Sequence, residues 1–186
     1  YFINNIDDKD LVARSRRSLI GNSVLFLVFF LSFVIRTLLA DGYAVNPETG
    51  EIFMEPYKYL TNFIEMPVVL VLFLIGVALV LFGIGKSLLK PKFDKGIWFT
   101  GIGTVLAVLA LLLVAGYNHT AYYPSTNDLQ SSLTLANSCS SEFTLRVMFY
   151  VSFLVPFVLA YIFYAWRSID IHKINEKEMK DGGHSY

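Results

Sequence analysis

A single cysteine, Cys139, in 186 residues leaves no intrachain disulfide and no thiolate metal cluster. Charge is scarce too. Asp, Glu, Lys and Arg make up 16% of the chain, 15 of each sign, against about 25% in soluble domains. Without a basic excess there is no electrostatic footprint for nucleic acid. The chain has no Walker A loop, no dinucleotide fingerprint and no HExxH, so those nucleotide and zinc chemistries have no motif to rest on. What is abundant is apolar: hydrophobic residues are 55% and the mean hydropathy is +0.54. Four nearly charge-free runs, 19–39, 66–85, 97–117 and 147–166, each approach the roughly 20 residues that carry an α-helix across a bilayer core. A soluble domain, a disordered chain and a secreted disulfide scaffold all fit this composition poorly.

The four runs predict an all-α integral membrane bundle, a single transmembrane domain over 1–186 with spans near 19–39, 63–86, 97–117 and 144–167 and a polar tail over 168–186. The first run lies behind a charged stretch and has no small-residue cleavage site, so it is not a signal peptide. The opening Tyr1-Phe2-Ile3-Asn4-Asn5 reads as the end of an earlier apolar element, with sequence expected before it. Basic residues alternate from side to side. Lys9, Arg14, Arg16 and Arg17 precede span one. Lys86, Lys90, Lys92 and Lys95 join spans two and three. Arg167, Lys173, Lys177 and Lys180 follow span four. Only Arg36, Lys58 and Arg146 fall on the other side. The positive-inside rule then places both termini and the 86–96 linker in the cytoplasm. The connections over 40–65 and 118–146 lie outside, the first with Pro and Gly turn signals, the second free of Lys and Arg until Arg146. Trp98 and Trp166 at the inner ends, with Tyr57, Tyr59, Tyr117, Tyr122 and Tyr123 at the outer ends, form the expected interfacial belts.

Small residues mark faces for helix contact, because apolar surface alone does not drive association in lipid. Span two offers Gly76 and Gly83. Span three offers Gly96, Thr100 and Thr104, with Gly103 and Ala107 alongside. Span four offers Ser152, Pro156 and Ala160. Pro156 removes a helix hydrogen bond and should kink span four. Ionisable groups at membrane depth are the first functional candidates. Three approach it, Arg36, Glu65 and Arg146, all near the outer boundary. Two readings of Glu65 stand: an ion pair with Arg36 or Arg146, or a capping box with Asn62 as N-cap and Glu65 at N3. Arg146 also reads as a snorkelling interfacial residue. The absence of midplane charge makes a proton or ion path within the chain improbable. His119 follows span three, while His172 and His184 lie in the tail, and none is spaced to ligate haem from a helix. Met148 reads as packing. Asn118-His119-Thr120 is a formal glycosylation sequon.

At the second outer segment the sequence becomes specific. Tyr123-Pro124-Ser125, Ser131-Ser132-Leu133-Thr134, Ser140-Ser141 and Thr144-Leu145-Arg146-Val147-Met148, followed by Val155-Pro156 and a tail ending His184-Ser185-Tyr186, resemble subunit II of the cytochrome bd-type quinol oxidases. The early stretch Asp10-Leu11-Val12-Ala13-Arg14-Ser15-Arg16-Arg17 resembles the cytoplasmic connection before the fifth span of that subunit. The resemblance implies an eight-span subunit of two four-helix halves, with this chain as spans five to eight. It implies a complex in the bacterial cytoplasmic (inner) membrane that oxidises quinol, reduces oxygen to water and adds to the proton gradient. Two b-type haems and one d-type haem would reside in subunit I, none in this chain, and the acids of the subunit II proton channel would lie in the half before Tyr1. No catalytic, cofactor-binding or metal-binding residue is carried over. The role implied is structural: packing against subunit I amid lipid and quinone. The rival readings are half of an unrelated repeat-built transporter and a free-standing four-span structural protein.

Overall fold

The computed structural model describes residues 3, 8–90, 93 and 95–170. His172, His184, Lys92, Lys173, Lys177, Lys180 and most of the expected tail lie outside the described residues. Helices dominate: α1 (Lys9–Leu39), α2 (Lys58–Glu65), α3 (Pro67–Leu89), α4 (Gly96–Gly116), α5 (Glu142–Ser152) and α6 (Val155–Asp170). Two short strands, β1 (Gly42–Val45) and β2 (Ile52–Glu55), and a 3₁₀ turn over Leu129–Ser131 complete the order. Four helical stretches are long and apolar enough to cross a membrane: α1, α3, α4 and the stretch Glu142–Ile169. The chain divides into two compact units, residues 16–138 and residues 1–15 with 139–186.

Helix α1 starts ten residues before the apolar run expected at 19. Asp8 caps it, its carboxylate accepting the amides of Asp10 (2.8 Å) and Leu11 (3.2 Å). Lys9, Arg14, Arg16 and Arg17 are therefore helical, on the first turns of the same rod. At 1.5 Å per residue its 31 residues extend about 46 Å, more than the hydrocarbon core of about 30 Å.

The core of the 16–138 unit is the hairpin of α3 and α4. Buried positions on α3 are Val69, Phe73, Gly76, Val80, Gly83 and Ser87. Those on α4 are Gly96, Gly103, Ala107, Ala110 and Val114, with Gly116 at its end and Thr100 turned against Gly83. From Val69 to Ser87, and from Gly96 through Thr100 to Val114, the positions step by four and three residues in turn. That 3.5-residue repeat is the pattern of a left-handed coiled pair. The expected small-residue faces of α3 and α4 thus meet each other, with one exception. Thr104 is exposed and hydrogen-bonds the Thr100 carbonyl at 2.8 Å, because the seam moves from 100 to 103 rather than to 104. The glycines bring backbone onto backbone. A Cβ built on Gly76 would stand 2.6 Å from the Ala107 amide nitrogen, and one on Gly103 2.6 Å from the Gly76 carbonyl oxygen. Toward the outer end, Phe63, Val69, Phe73, Ala107, Ala110 and Val114 form the apolar core, and Phe30, Val34 and Leu38 of α1 pack on it. Ring centroids of Phe30 and Phe73 lie 6.3 Å apart, those of Phe63 and Phe73 5.2 Å.

In the second unit, Ser141 caps α5, its hydroxyl accepting the Thr144 amide. The kink expected from Pro156 is a full break. Helix α5 ends at Ser152, and the amides of Phe153 and Leu154 reach back only three residues, to Tyr150 and Val151. Proline at 156 has no amide to bond the Ser152 carbonyl, and α6 restarts at Val155.

Gly76→Ala or Gly103→Ala is expected to lower stability by about 1–3 kcal/mol, the usual cost of overpacking. Gly85→Ala and Gly101→Ala, where an added Cβ meets nothing within 4 Å, should be neutral or slightly stabilising. Thermal unfolding of the four variants in detergent checks the contrast.

Candidate functional site: a polar cap on the helical hairpin

The segment after α1 folds back as a hairpin, although an all-α chain led us to expect only loops here. Strands β1 and β2 pair antiparallel, Gly42 opposite Glu55 and Val45 opposite Ile52. The turn signals seen in the sequence set the bend. The Asn46 side chain accepts the Glu48 amide at 2.9 Å, the Gly50 amide donates to the Asn46 carbonyl at 2.8 Å, and Gly50 takes φ 72°. Two strands of four residues are too little to stand alone. The chain leaving α4 supplies a third: Val45 N donates to the His119 carbonyl (2.7 Å) and Ala121 N to the Tyr43 carbonyl (2.8 Å). On the far side, the Gln130 amide imitates a strand. Its Oε1 accepts the Ile52 amide at 2.9 Å and its Nε2 donates to the Ile52 carbonyl at 2.8 Å.

At the centre lies Asn62, 0% exposed. It is not the N-cap expected in the sequence: it sits inside α2, and α3 begins after Met66 with Pro67 in its first turn and no side-chain cap. The Asn62 Nδ2 donates to the Val114 carbonyl (2.9 Å) and to Thr120 Oγ1 (2.8 Å), and its Oδ1 accepts from Asn118 Nδ2 at 3.0 Å. Val114 is in the last turn of α4, where carbonyls have no helical partner. One amide from α2 therefore closes the end of another helix. Asn118, at φ 58°, stands just past the helix in the left-handed position that asparagine tolerates. The Thr120 hydroxyl donates on to the Asn118 carbonyl at 3.2 Å. The side chains that made the sequon are thus consumed in holding the cap, with Thr120 only 2% exposed. An asparagine at the end of an apolar run, two residues past Gly116, is a helix-stop signal that could have identified Asn118. Nothing local marks Asn62.

Glu65, expected to pair with Arg36 or Arg146 or to cap a helix, receives the second hydrogen of Asn118 Nδ2. Arg146 pairs with Glu142 one turn earlier on its own helix, both exposed. Arg36 is exposed on the last turn of α1. Within the 16–138 unit, Arg36 and Glu65 thus hold separate posts. The buried cation of the cap is Lys58, 6% exposed, which pairs with Glu55 at 3.2 Å and lies so close over Gly42 that a Cβ there would stand 2.5 Å from its own. Burial, with a smaller contribution from Tyr43, pushes the Tyr59 phenol above its ordinary range. His119 is exposed, with φ 53°. Among the described residues no three His, Cys, Asp or Glu converge on a metal position.

Comparison with known proteins adds the following. Residues 1–169 match the family described as cytochrome bd terminal oxidase subunit II. The chain is similar to cytochrome bd-I ubiquinol oxidase subunit 2 of Escherichia coli strain K12 and of Escherichia coli O157:H7, 28% identical to each over 156 residues. The matched stretch covers 82% of this chain and 39% of each relative, so the chain spans well under half the length of those proteins.

Replacing Asn62 by Ala should strand the Val114 carbonyl and the Thr120 and Asn118 groups, at about 1–3 kcal/mol for each buried group left unpaired. Hydrogen exchange at the Val45 and Ala121 amides should accelerate. By contrast, a Glu142→Gln, Arg146→Gln double-mutant cycle should show coupling of about 0.3–0.5 kcal/mol or less, as for an exposed i,i+4 pair. Tyr59 gives a pH signature. A phenol whose folded pKa is raised stabilises fully below its unfolded value of 10.0, and that contribution is lost as pH rises through the folded value. Tyr59→Phe should flatten alkaline unfolding above pH about 10, read by circular dichroism.

Proposed function

The chain belongs to the cytochrome bd terminal oxidase subunit II family, and we propose that it serves a bd-type quinol:oxygen oxidoreductase as its structural, non-haem-bearing subunit, packed against the haem-carrying subunit I. The E. coli relatives are named as ubiquinol oxidase subunits; for this chain the reaction is quinol plus oxygen to quinone plus water, carried out by the complex as a whole. The two b-type haems and the d-type haem of that complex belong to subunit I. Because the match covers 39% of the relatives, the chain is read as the second four-span half of an eight-span pseudo-repeat. Its spans form one transmembrane domain in the bacterial inner membrane, with the ends of this segment cytoplasmic.

The observation that carries this reading is the seam of α3 and α4. Backbone meets backbone there, at Gly76 against Gly103 and Ala107, so the interior of the hairpin is filled and offers no room for a macrocycle. Its outward faces, by contrast, are apolar and exposed at Val68, Leu74, Val105 and Leu112. Within a membrane such faces are covered by lipid or by another subunit. The boundary charges Arg36, Glu65 and Arg146 keep a structural role at the outer ends of the helices.

An affinity tag on this chain should recover a larger membrane subunit together with b- and d-type bands in reduced-minus-oxidised spectra, and His119→Ala should leave those bands unchanged. A stoichiometric haem signal from this chain without its partner, lost on His119→Ala, overturns the reading. Orientation has its own check. Cys139 is exposed and should react with an impermeant maleimide applied to intact cells, with labelling after mild denaturation as the control for burial against a partner. Labelling only from the cytoplasmic side would invert the topology.

A further inference from the structure

Helix α2 is amphipathic in the reverse sense to a helix in water. Its polar side chains Lys58 and Asn62 are buried in the cap, while Leu60 and Ile64 are exposed. With Tyr57 and Thr61 these two make a stripe at i, i+3, i+4 and i+7, which is one face of a helix. A water-facing helix turns its polar residues outward and its apolar ones to the core. The inward pair is explained by its partners, Glu55 for Lys58 and the end of α4 for Asn62. The outward face is apolar without such a reason. Even the Thr61 hydroxyl on it turns back, donating to the Tyr57 carbonyl at 3.3 Å.

Tyr57 supplies a second observation. It stands at the N-cap of α2 with φ 56°, in the left-handed region, where a bulky side chain is strained. Glycine or asparagine would sit there more easily. A strained position is kept where the side chain has work to do. Tyr57 is exposed and heads the apolar stripe, and an amphipathic ring of that kind belongs at a membrane–water boundary.

The lengths of the spans set the depth. Helices α3 and α4 have 23 and 21 residues, about 34 and 31 Å at 1.5 Å per residue. The hydrocarbon core is about 30 Å thick, so helices that cross it bring their cap-side ends, Pro67 and Gly116, to its boundary. Only Met66 separates α2 from α3, which puts α2 at that level. Beyond Met66 the apolar surface continues, with Pro67, Val68, Val71 and Leu72 lining a shallow groove. A protein partner matches the stripe poorly. A stable protein interface takes roughly 20–30 residues a side, whereas the stripe is four side chains, one with its hydroxyl already bonded.

We propose that α2 is an interfacial helix, lying against the leaflet on the cap side with Tyr57, Leu60 and Ile64 among the headgroups and upper acyl chains of bilayer lipid. The inference rests on the transmembrane reading of α3 and α4. One face of α2 then rests on lipid while the other, through Asn62, closes the end of α4. The bilayer surface thereby holds the cap at a fixed height.

The test places nitroxide labels at Leu60→Cys and Ile64→Cys, each with Cys139→Ser, in the tagged chain with the subunits that co-purify with it, in phosphatidylcholine nanodiscs. Both replaced side chains are exposed, so the hydrogen bonds of the cap stay intact. Collisions are measured with oxygen, which concentrates in lipid, and with a nickel chelate, which stays in water. Both labels should favour oxygen, at a depth of about 5–10 Å. A label at Glu48→Cys, on the exposed turn of the hairpin, should favour nickel. A label at Val105→Cys, midway along α4, isolates the premise: nickel access there overturns the transmembrane reading and this proposal with it. With Val105 closed to nickel, nickel access at 60 or 64 overturns the interfacial placement alone. Shielding of 60 and 64 from both reagents also overturns it, in favour of a protein partner.

Discussion

A polar group that enters lipid must bring its partner with it. Nearly every feature of the molecule follows from that constraint. Inside the spans, backbone groups are satisfied within helices, and no hydrophobic drive between helices remains to pull them together. Shape then decides the association. The glycines of α3 and α4 permit an approach close enough for dispersion to act between backbones. At the outer end, where the chain must turn, backbone groups lose their helical partners. Asn62 and Gln130 make good the loss, the first at the end of α4 and the second at the open edge of β2.

Much of the helical layer was legible in the sequence, because its signal is compositional and local. Runs of about twenty apolar residues have few alternatives, and Gly76, Gly83, Gly96 and Gly103 announced the seam. Thr104 was misplaced because a spacing of four was carried one step too far along a face that advances by 3.5. The start of α1 was missed for a different reason. Hydropathy reports the apolar part of a helix, and Lys9 to Arg17 continue the helix after the apolar signal has ended.

The cap was far less legible, and the reason is sequence distance. Four-residue strands carry almost no pattern of their own, and β1 is completed by Thr120, which lies far along the chain and beyond two spans. Asn62 with Glu65 three residues on matches a local capping box, yet the partners of Asn62 are 52 to 58 positions away. A buried amide is indistinguishable in sequence from a capping one. Glu65 follows the same pattern: depth in the membrane suggests an ion pair, while the structure gives its carboxylate the Asn118 amide, 53 positions away.

The glycine seam also has a mechanical meaning. Where side chains separate two helices, the gap is set by rotamers, and it widens or shifts as other rotamers become populated. Between Gly76 and Gly103 there are no rotamers to populate. The spacing is fixed by the radii of backbone atoms, and locking it costs no side-chain entropy. A joint of that kind neither swells on warming nor yields to the lateral pressure of the bilayer. Thickness changes in the membrane would therefore be taken up elsewhere, most readily at the break before Pro156, where the last span already lacks a continuous hydrogen-bond ladder. The chain thus holds a stiff joint in one unit and a compliant span in the other, and strain imposed by the bilayer has a preferred place to go.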